Sequence, residues 1–247
     1  MLIFSGCNDS SSSKIEVKKP TEKQLIAKIT QKDINTTVVK EVKQVIKKKK
    51  KRISPTKERF KKIMVPIIQE VYIELEKQYH NIKEDIKLKR NLLTIEKLKK
   101  QYKVKDDKLL LHALKPHPVS IVLAQSAIES GWLNSRFAKD ANNIFGVWSF
   151  DKNEPRIAAI GSRSGKTIYL KKYDSYKEAV RDYYKSIAKS WAYKDLRYLR
   201  TVTNKPEILL PHFKKYSEKG YEYIEILRKL IKNNEFEKYD IKEVDNK

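Results

Sequence analysis

The sequence is poor in the residues that many functions require. One cysteine in 247 residues excludes an internal disulfide framework and any paired-cysteine metal site. Six glycines and eight prolines exclude collagen-like and glycine-rich repeats. No apolar run reaches the roughly 18 residues that a transmembrane helix needs. The four histidines, His80, His112, His117 and His212, never fall three or four residues apart, so a helical zinc site has no support; each is read as a surface or packing residue. There is no Gly-x-Ser-x-Gly elbow, no phosphate-binding loop and no dinucleotide-binding glycine pattern. No metal or organic cofactor is expected, and carboxylate chemistry is what remains for an enzyme.

Positive charge is abundant. Lys plus Arg number 55 against 31 Asp plus Glu, a net charge of +24. That suits a polyanionic partner: nucleic acid, an acidic membrane surface or an anionic wall polymer. A lysine-rich compositional bias is the plainer account. Lys far outnumbers Arg, and no aromatic-rich basic motif of the kind that stacks bases is present, so nucleic acid is the least favoured partner.

The lone cysteine lies in Met1-Leu-Ile-Phe-Ser-Gly-Cys7. An apolar residue, two small residues and a cysteine resemble a bacterial lipobox, with Cys7 as the lipidated residue. Only six residues precede it, so the basic and apolar parts of a signal peptide would lie upstream of Met1. A polar tract, Asn8 to Ser13, suits a tether. Residues 14–52 carry 14 basic and 4 acidic residues, and Lys47–Arg52 is an unbroken run of six cations. Such density keeps a chain extended and serves as an electrostatic tether to an anionic surface. A nuclear localisation signal is equally compatible with such a run, which any lysine-rich linker produces.

Order is expected from about residue 55. Residues 1–54 read as the lipoprotein-like start and basic linker, 55–236 as one domain and 237–247 as a charged tail that frays. Within the domain, 55–118 reads as a helical part and 119–236 as the catalytic core. Thr56 can cap a helix carrying Phe60, Ile63, Met64, Ile67, Ile68 and Val71, with a kink or break at Pro66. Further helical patterns cover 73–89, 92–102 and 105–114. Ser120 can cap a helix that stops at Gly131. Residues 156–160 and 166–170 read as a hairpin around a five-residue loop. Ser175 and Glu178 form a capping box for a helix with Tyr176, Val180, Tyr183, Ile187 and Trp191 on one face. A last helix, about 218–233, has Tyr221, Ile224, Leu227 and Ile231 on its stripe.

Glu129 is the unusual carboxylate. It ends an otherwise small and apolar segment, Ala124-Gln-Ser-Ala-Ile-Glu129-Ser-Gly-Trp132. The helix C-terminus opposes its ionisation, and Trp132 and Phe145 can exclude water. A carboxyl kept protonated near neutral pH is what glycosidic leaving-group departure requires. The alternative is a solvent-facing glutamate at a helix end.

Leu123 to Trp132, then Ser135-Arg-Phe-Ala138, Asn142-Asn-Ile-Phe-Gly146 and Trp148 resemble the glucosaminidase domain of glycoside hydrolase family 73, and most closely its Bax-type branch. Phe60 with Pro66, Glu154-Pro155, and Tyr216-Ser-Glu-Lys-Gly220 with Tyr223 are similar too. The resemblance spans about 56–234. It implies a mainly α, lysozyme-like helical domain with a small β-hairpin lobe. It also implies endo-acting cleavage of β-1,4 bonds next to N-acetylglucosamine, usually in peptidoglycan, in the bacterial cell envelope. Glu129 falls on the family's general acid. Tyr193 matches a cleft tyrosine, and Glu154 is the candidate second carboxylate. Asn143, Phe145 and Gly146 form the wall of the cleft. Trp132, Trp148, Tyr173 and Tyr216 complete the expected substrate-binding set. Trp191, Tyr183 and Tyr184 are expected in the core. Leu133 stands where the family commonly has glycine. A retaining, an inverting and a substrate-assisted mechanism all stay open, the last using the 2-acetamido oxygen with Tyr193 orienting it. A non-catalytic wall-binding protein on the same fold is the alternative function.

Overall fold

The computed structural model describes residues 55–163 and 166–241. Cys7 and the basic linker lie outside the described residues, as do positions 242–247. The described chain is mainly helical, with one antiparallel hairpin.

The long first helix, α1 (Pro55–Lys87), contains Pro66 and is not broken by it. Phe60, Met64 and Ile68 are fully buried on either side of the proline, while Pro66 itself is exposed. The missing hydrogen bond therefore faces solvent, where water can satisfy the freed carbonyl, and the buried stripe holds the helix together. Two short helices follow, α2 (Leu92–Tyr102) and α3 (Asp107–Leu114). Together with the far half of α1 they form a small second core around Tyr79, Ile82, Ile95, Leu98 and Leu110.

At the centre lies α4 (Val119–Glu129), in which every residue from Val119 to Ala127 is buried. A helix apolar all round is the signature of a core element. Ser120 does not cap it. Pro118 holds the cap position, and the acceptor comes from far along the chain. Asp240 Oδ1 accepts from Ser120 N and Asp240 Oδ2 from Ser120 Oγ, both at 2.7 Å. Residues 235–241 thus dock rather than fray. Phe236 is fully buried, 6.5 Å from the Phe60 ring, and Gln69 Nε2 donates to Tyr239 O.

Past α4, three successive residues adopt left-handed backbone: Gly131 (φ 56°), Trp132 (φ 60°) and Leu133 (φ 64°). Ser130 pins this turn, its Oγ donating to Ser126 O and accepting from Leu133 N at 2.9 Å. Leu133 is 4% exposed, so burial offsets the strain of a branched side chain in that region. After α5 (Arg136–Ala141) comes the hairpin, β1 (Arg156–Arg163) and β2 (Lys166–Lys171). Its strands run further than the sequence suggests, with Arg163 opposite Lys166, so two residues separate them rather than five. A register shift between Ala158 and Ser162 bends it.

Four helices complete the domain: α6 (Tyr176–Lys189), α7 (Lys194–Leu199), α8 (Pro206–Leu209) and α9 (Tyr221–Asn234). Ser175 caps α6, but Glu178 reaches Asp174 N rather than closing the box on Ser175. Helix α6 ends before Trp191, which sits in a 3-10 turn (Trp191–Tyr193) and is 78% exposed, not in the core; Tyr183 and Tyr184 are buried as expected. On α9 the exposed ring is Tyr221, and Tyr223 takes its place on the buried stripe with Ile224, Leu227 and Ile231.

Candidate active site

A cleft of about 380 Å³ opens where the C-terminal end of α4 meets α6, the turn before α7 and the loop after α5. Glu129 is its one charged lining residue, among Phe145, Gly146, Val147, Tyr183, Tyr193 and Tyr216. The Glu129 side chain is exposed at the mouth of the cleft, yet the atoms packed around its carboxyl desolvate it enough to raise it above the ordinary value. The opposing influence is a hydrogen bond, since Tyr223 Oη donates to Glu129 Oε1 at 2.9 Å. Burial, rather than the helix terminus, is therefore the main physical cause of the shift.

The wall of the cleft is built from the Asn142–Val147 loop. Gly146 has φ 66°, a conformation that side chains rarely tolerate. The Asn143 amide is spent on the chain itself. Its Nδ2 donates to Val147 O and Lys171 O, and its Oδ1 accepts from Val147 N, all at 2.9 Å. Asn143 thus ties the loop to β2 and is a wall residue rather than a contact for substrate. Phe145 stacks on Tyr183 with ring centroids 4.3 Å apart. Tyr216 stacks on Tyr223 at 5.7 Å, and burial beside Glu129 holds its hydroxyl well above the ordinary value. Tyr193 is 8% exposed, and burial pushes it up to about 12, so it is a neutral hydroxyl throughout the neutral range.

The remaining expected site residues lie elsewhere. Glu154 lines a separate depression of about 420 Å³ with Tyr173, Arg181 and Asp182. Its Oε2 is 3.6 Å from Lys171 Nζ, and the same ammonium is 3.3 Å from Asp182. Tyr173 donates to Asp182 Oδ2 at 2.7 Å and is committed to that cluster. Trp132 packs edge-on against Phe60 at 5.1 Å, with Lys57 over its ring at 4.9 Å, and does not line the cleft. Its left-handed backbone turns the ring back onto α1. Trp148 bridges to Leu170 on the edge of the hairpin, 43% exposed and beside the exposed Phe150. A larger cavity, of about 610 Å³, lies between α1, α2, α3 and α6. Its acids Glu74 and Asp85 are engaged by Arg181 and Arg90, which leaves Glu129 the better placed acid. Among the described residues no cluster of three or more His, Cys, Asp or Glu could hold a metal, and no helix is long and apolar enough to cross a membrane.

Tyr223 is the site residue that the stripe on the last helix misplaced. The spacing Tyr223, Leu227, Ile231 would have selected it, because an i, i+4 repeat defines a buried face as well as the one through Tyr221.

A carboxyl in a cleft lined by aromatic and small residues, with one oxygen held by a tyrosine and no cation beside it among the described residues, is chemically able to donate a proton. Comparison with known proteins gives the class. The chain matches the glucosaminidase family, described as mannosyl-glycoprotein endo-beta-N-acetylglucosaminidase, over residues 95–236, more than half its length. It belongs to that family of glycoside hydrolases. Protein bax of Escherichia coli strain K12 is 27% identical over 124 residues, a match that takes in 48% of this chain and 43% of that protein. Among solved structures, the catalytic domain of the autolysin Auto from Listeria monocytogenes is similar at 18% identity. The match covers 81% of this chain and 97% of that one, with a TM-score of 0.48. The glycoside hydrolase domain of Salmonella typhimurium FlgJ is similar at 23% identity over 51% of this chain and 81% of that one, with a TM-score of 0.39.

Proposed function

We propose that the protein is an endo-beta-N-acetylglucosaminidase that hydrolyses β-1,4 bonds in peptidoglycan, with Glu129 as the general acid. The observation that carries the reading is the Glu129 carboxyl itself: raised by partial desolvation, paired with no cation among the described residues, and open to a cleft. Glu129 Oε2 delivers the proton to the leaving oxygen while Oε1 stays with Tyr223. Peptidoglycan is the substrate that the sequence resemblance favours, and the net charge of +24 suits an anionic wall.

For the other face of the sugar, the proposal follows the residues that share the cleft. Tyr193 lines it and Glu154 does not. The 2-acetamido oxygen of N-acetylglucosamine attacks C1, and the Tyr193 hydroxyl orients that amide. Glu154, beside Lys171, is then a hairpin residue of secondary importance to the rate. Lipid anchoring at Cys7 and tethering by the 14–52 linker would hold the domain in the periplasm at the inner face of the wall. Removal of residues 1–52 tests this: activity on soluble muropeptides should persist while salt-sensitive binding to sacculi is lost.

The deciding experiment is mass spectrometry of digested peptidoglycan with the whole chain and with Glu129→Gln. New reducing-end N-acetylglucosamine that the variant fails to produce supports the reading. New reducing-end N-acetylmuramic acid would replace glucosaminidase by muramidase. Binding to sacculi with no cleavage would leave a wall-binding protein.

A further inference from the structure

Behind the Glu129 cleft lies a line of buried polar groups that the proposed chemistry does not use. It begins at Arg200, 1% exposed, whose guanidinium donates to Ala113 O at 2.7 Å and His112 O at 3.2 Å. Arg200 Nη1 lies 3.5 Å from Nδ1 of His117, a fully buried ring. His117 Nε2 is 2.8 Å from Tyr183 Oη. Tyr183 donates to Gln125 Oε1, and Gln125 Nε2 donates to Tyr223 Oη at 3.3 Å. Tyr223 then donates to Glu129 Oε1 at 2.9 Å.

Counting hydrogens gives this line a single direction. A tyrosine hydroxyl has one hydrogen to give. Tyr223 gives its hydrogen to Glu129, so the group behind it must be a donor, which is the Gln125 amide nitrogen. The Gln125 oxygen then faces Tyr183, whose one hydrogen it takes. Tyr183 must accept from His117 Nε2, which leaves Nδ1 bare and turned to the Arg200 N–H groups. Burial and the neighbouring Arg200 keep His117 neutral, consistent with one hydrogen on the ring. Arg200, lowered by burial to about 9, is still a cation at neutral pH. All five bonds point at Glu129, and bonds aligned this way polarise one another.

We propose that Arg200, His117, Tyr183 and Gln125 are positioning residues that commit the single hydrogen of Tyr223 to Glu129. The carboxylate formed when Glu129 releases its proton then meets a donor already in place. The inference rests on the reading of Glu129 as the acid. Without the line, the Gln125 amide is free to turn, and Tyr223 can spend its hydrogen on the Gln125 oxygen instead. The titratable groups facing Glu129 are Tyr223 from α9, Tyr183 from α6, Tyr193 from the turn before α7 and Tyr216 from the segment before α9. None of these tyrosines is charged at neutral pH, so the donor of Tyr223 is the adjustable influence on the carboxyl.

The test is Tyr183→Phe in the full chain, which removes the hydroxyl and keeps the ring that stacks on Phe145. The Glu129 carboxyl is titrated by carbon-13 NMR, its signal identified by its loss in Glu129→Gln. Tyr223→Phe serves as the direct break. It should raise the Glu129 pKa by about one pH unit, the size expected for one hydrogen bond to a charged group. Tyr183→Phe, two bonds away, should raise it by at least about half as much. The alkaline limb of kcat should move by the same amount, with KM little changed. A merely structural Tyr183 would lower the melting temperature and leave the titration alone, and an unmoved Glu129 titration overturns the proposal. If Tyr183→Phe does not fold, Gln125→Met breaks the same line and is held to the same outcome. A titration that moves while the rate limb stays still would instead remove Glu129 as the acid and leave the hydrogen-bonded line standing.

Discussion

Glu129 and Glu154 are the two carboxylates expected to share the chemistry, and the fold treats them differently. Glu129 closes a helix that is buried from Val119 to Ala127, meets a tyrosine hydroxyl and no cation among the described residues, and is raised by desolvation. Glu154 stands where the chain enters β1, with the Lys171 ammonium 3.6 Å away. Desolvation favours the neutral form of a carboxyl such as Glu129. The first environment suits a proton donor. The second places the side chain in an ion-pair contact on the hairpin. Motif identity marked both residues; their surroundings separate them.

The comparison is broken most directly by exchanging each acid for its amide. Glu129→Gln keeps the shape and removes the transferable proton, so the turnover rate should fall by at least about 10²-fold. Its fold should be retained, as read by the melting curve, and retention of more than half the activity would remove it as the acid. Tyr193→Phe should cost about tenfold in kcat if the hydroxyl orients the acetamido group. Glu154→Gln should cost less than about tenfold, and a loss equal to that of Glu129→Gln, with rescue by azide, would restore Glu154 as base or nucleophile.

Proton linkage sharpens the contrast. The folded Glu129 pKa lies above its unfolded value, so the group's contribution to stability is complete below pH 4.5 and is lost as pH rises through the folded pKa. Urea unfolding of the wild type should therefore show a downward slope in that window that Glu129→Gln flattens. Asp240 behaves alike in sign. Burial pushes it up to about 6 against the two Ser120 hydrogen bonds, so its contribution declines between about pH 4 and pH 6. Asp240→Ala should remove the cap of α4 at a cost of about 1 kcal/mol, the smallest of these effects, seen as a drop of a few degrees in melting temperature.

Much of this was legible in the residues. The apolar run around Ala124, the Gly131 stop and the Ser175 cap follow local rules, and they place Glu129 at the end of a core helix. What escaped depends on distance along the chain. Pro66 reads as a kink or break because the pattern cannot show which side of a helix faces water. Trp191 continues the α6 periodicity, but Ser190 takes an extended backbone and turns the ring outward. The cap of α4 comes from Asp240, for which no spacing rule exists. Trp132 looks like a sugar platform until three left-handed residues aim it at Phe60. Local chemistry is written in short motifs, whereas the partners of a buried polar group are chosen by the fold.

The bond between Ser120 and Asp240 spans 120 positions of the chain. During synthesis the helix that carries Glu129 leaves the ribosome long before the residue that caps it. At roughly 5–20 residues per second, that interval is several seconds or more. A chain stopped short of Asp240 would carry the whole Glu129 cleft and still leave the start of its central helix open. The cap of α4 is therefore supplied only after every residue that lines the Glu129 cleft has been made.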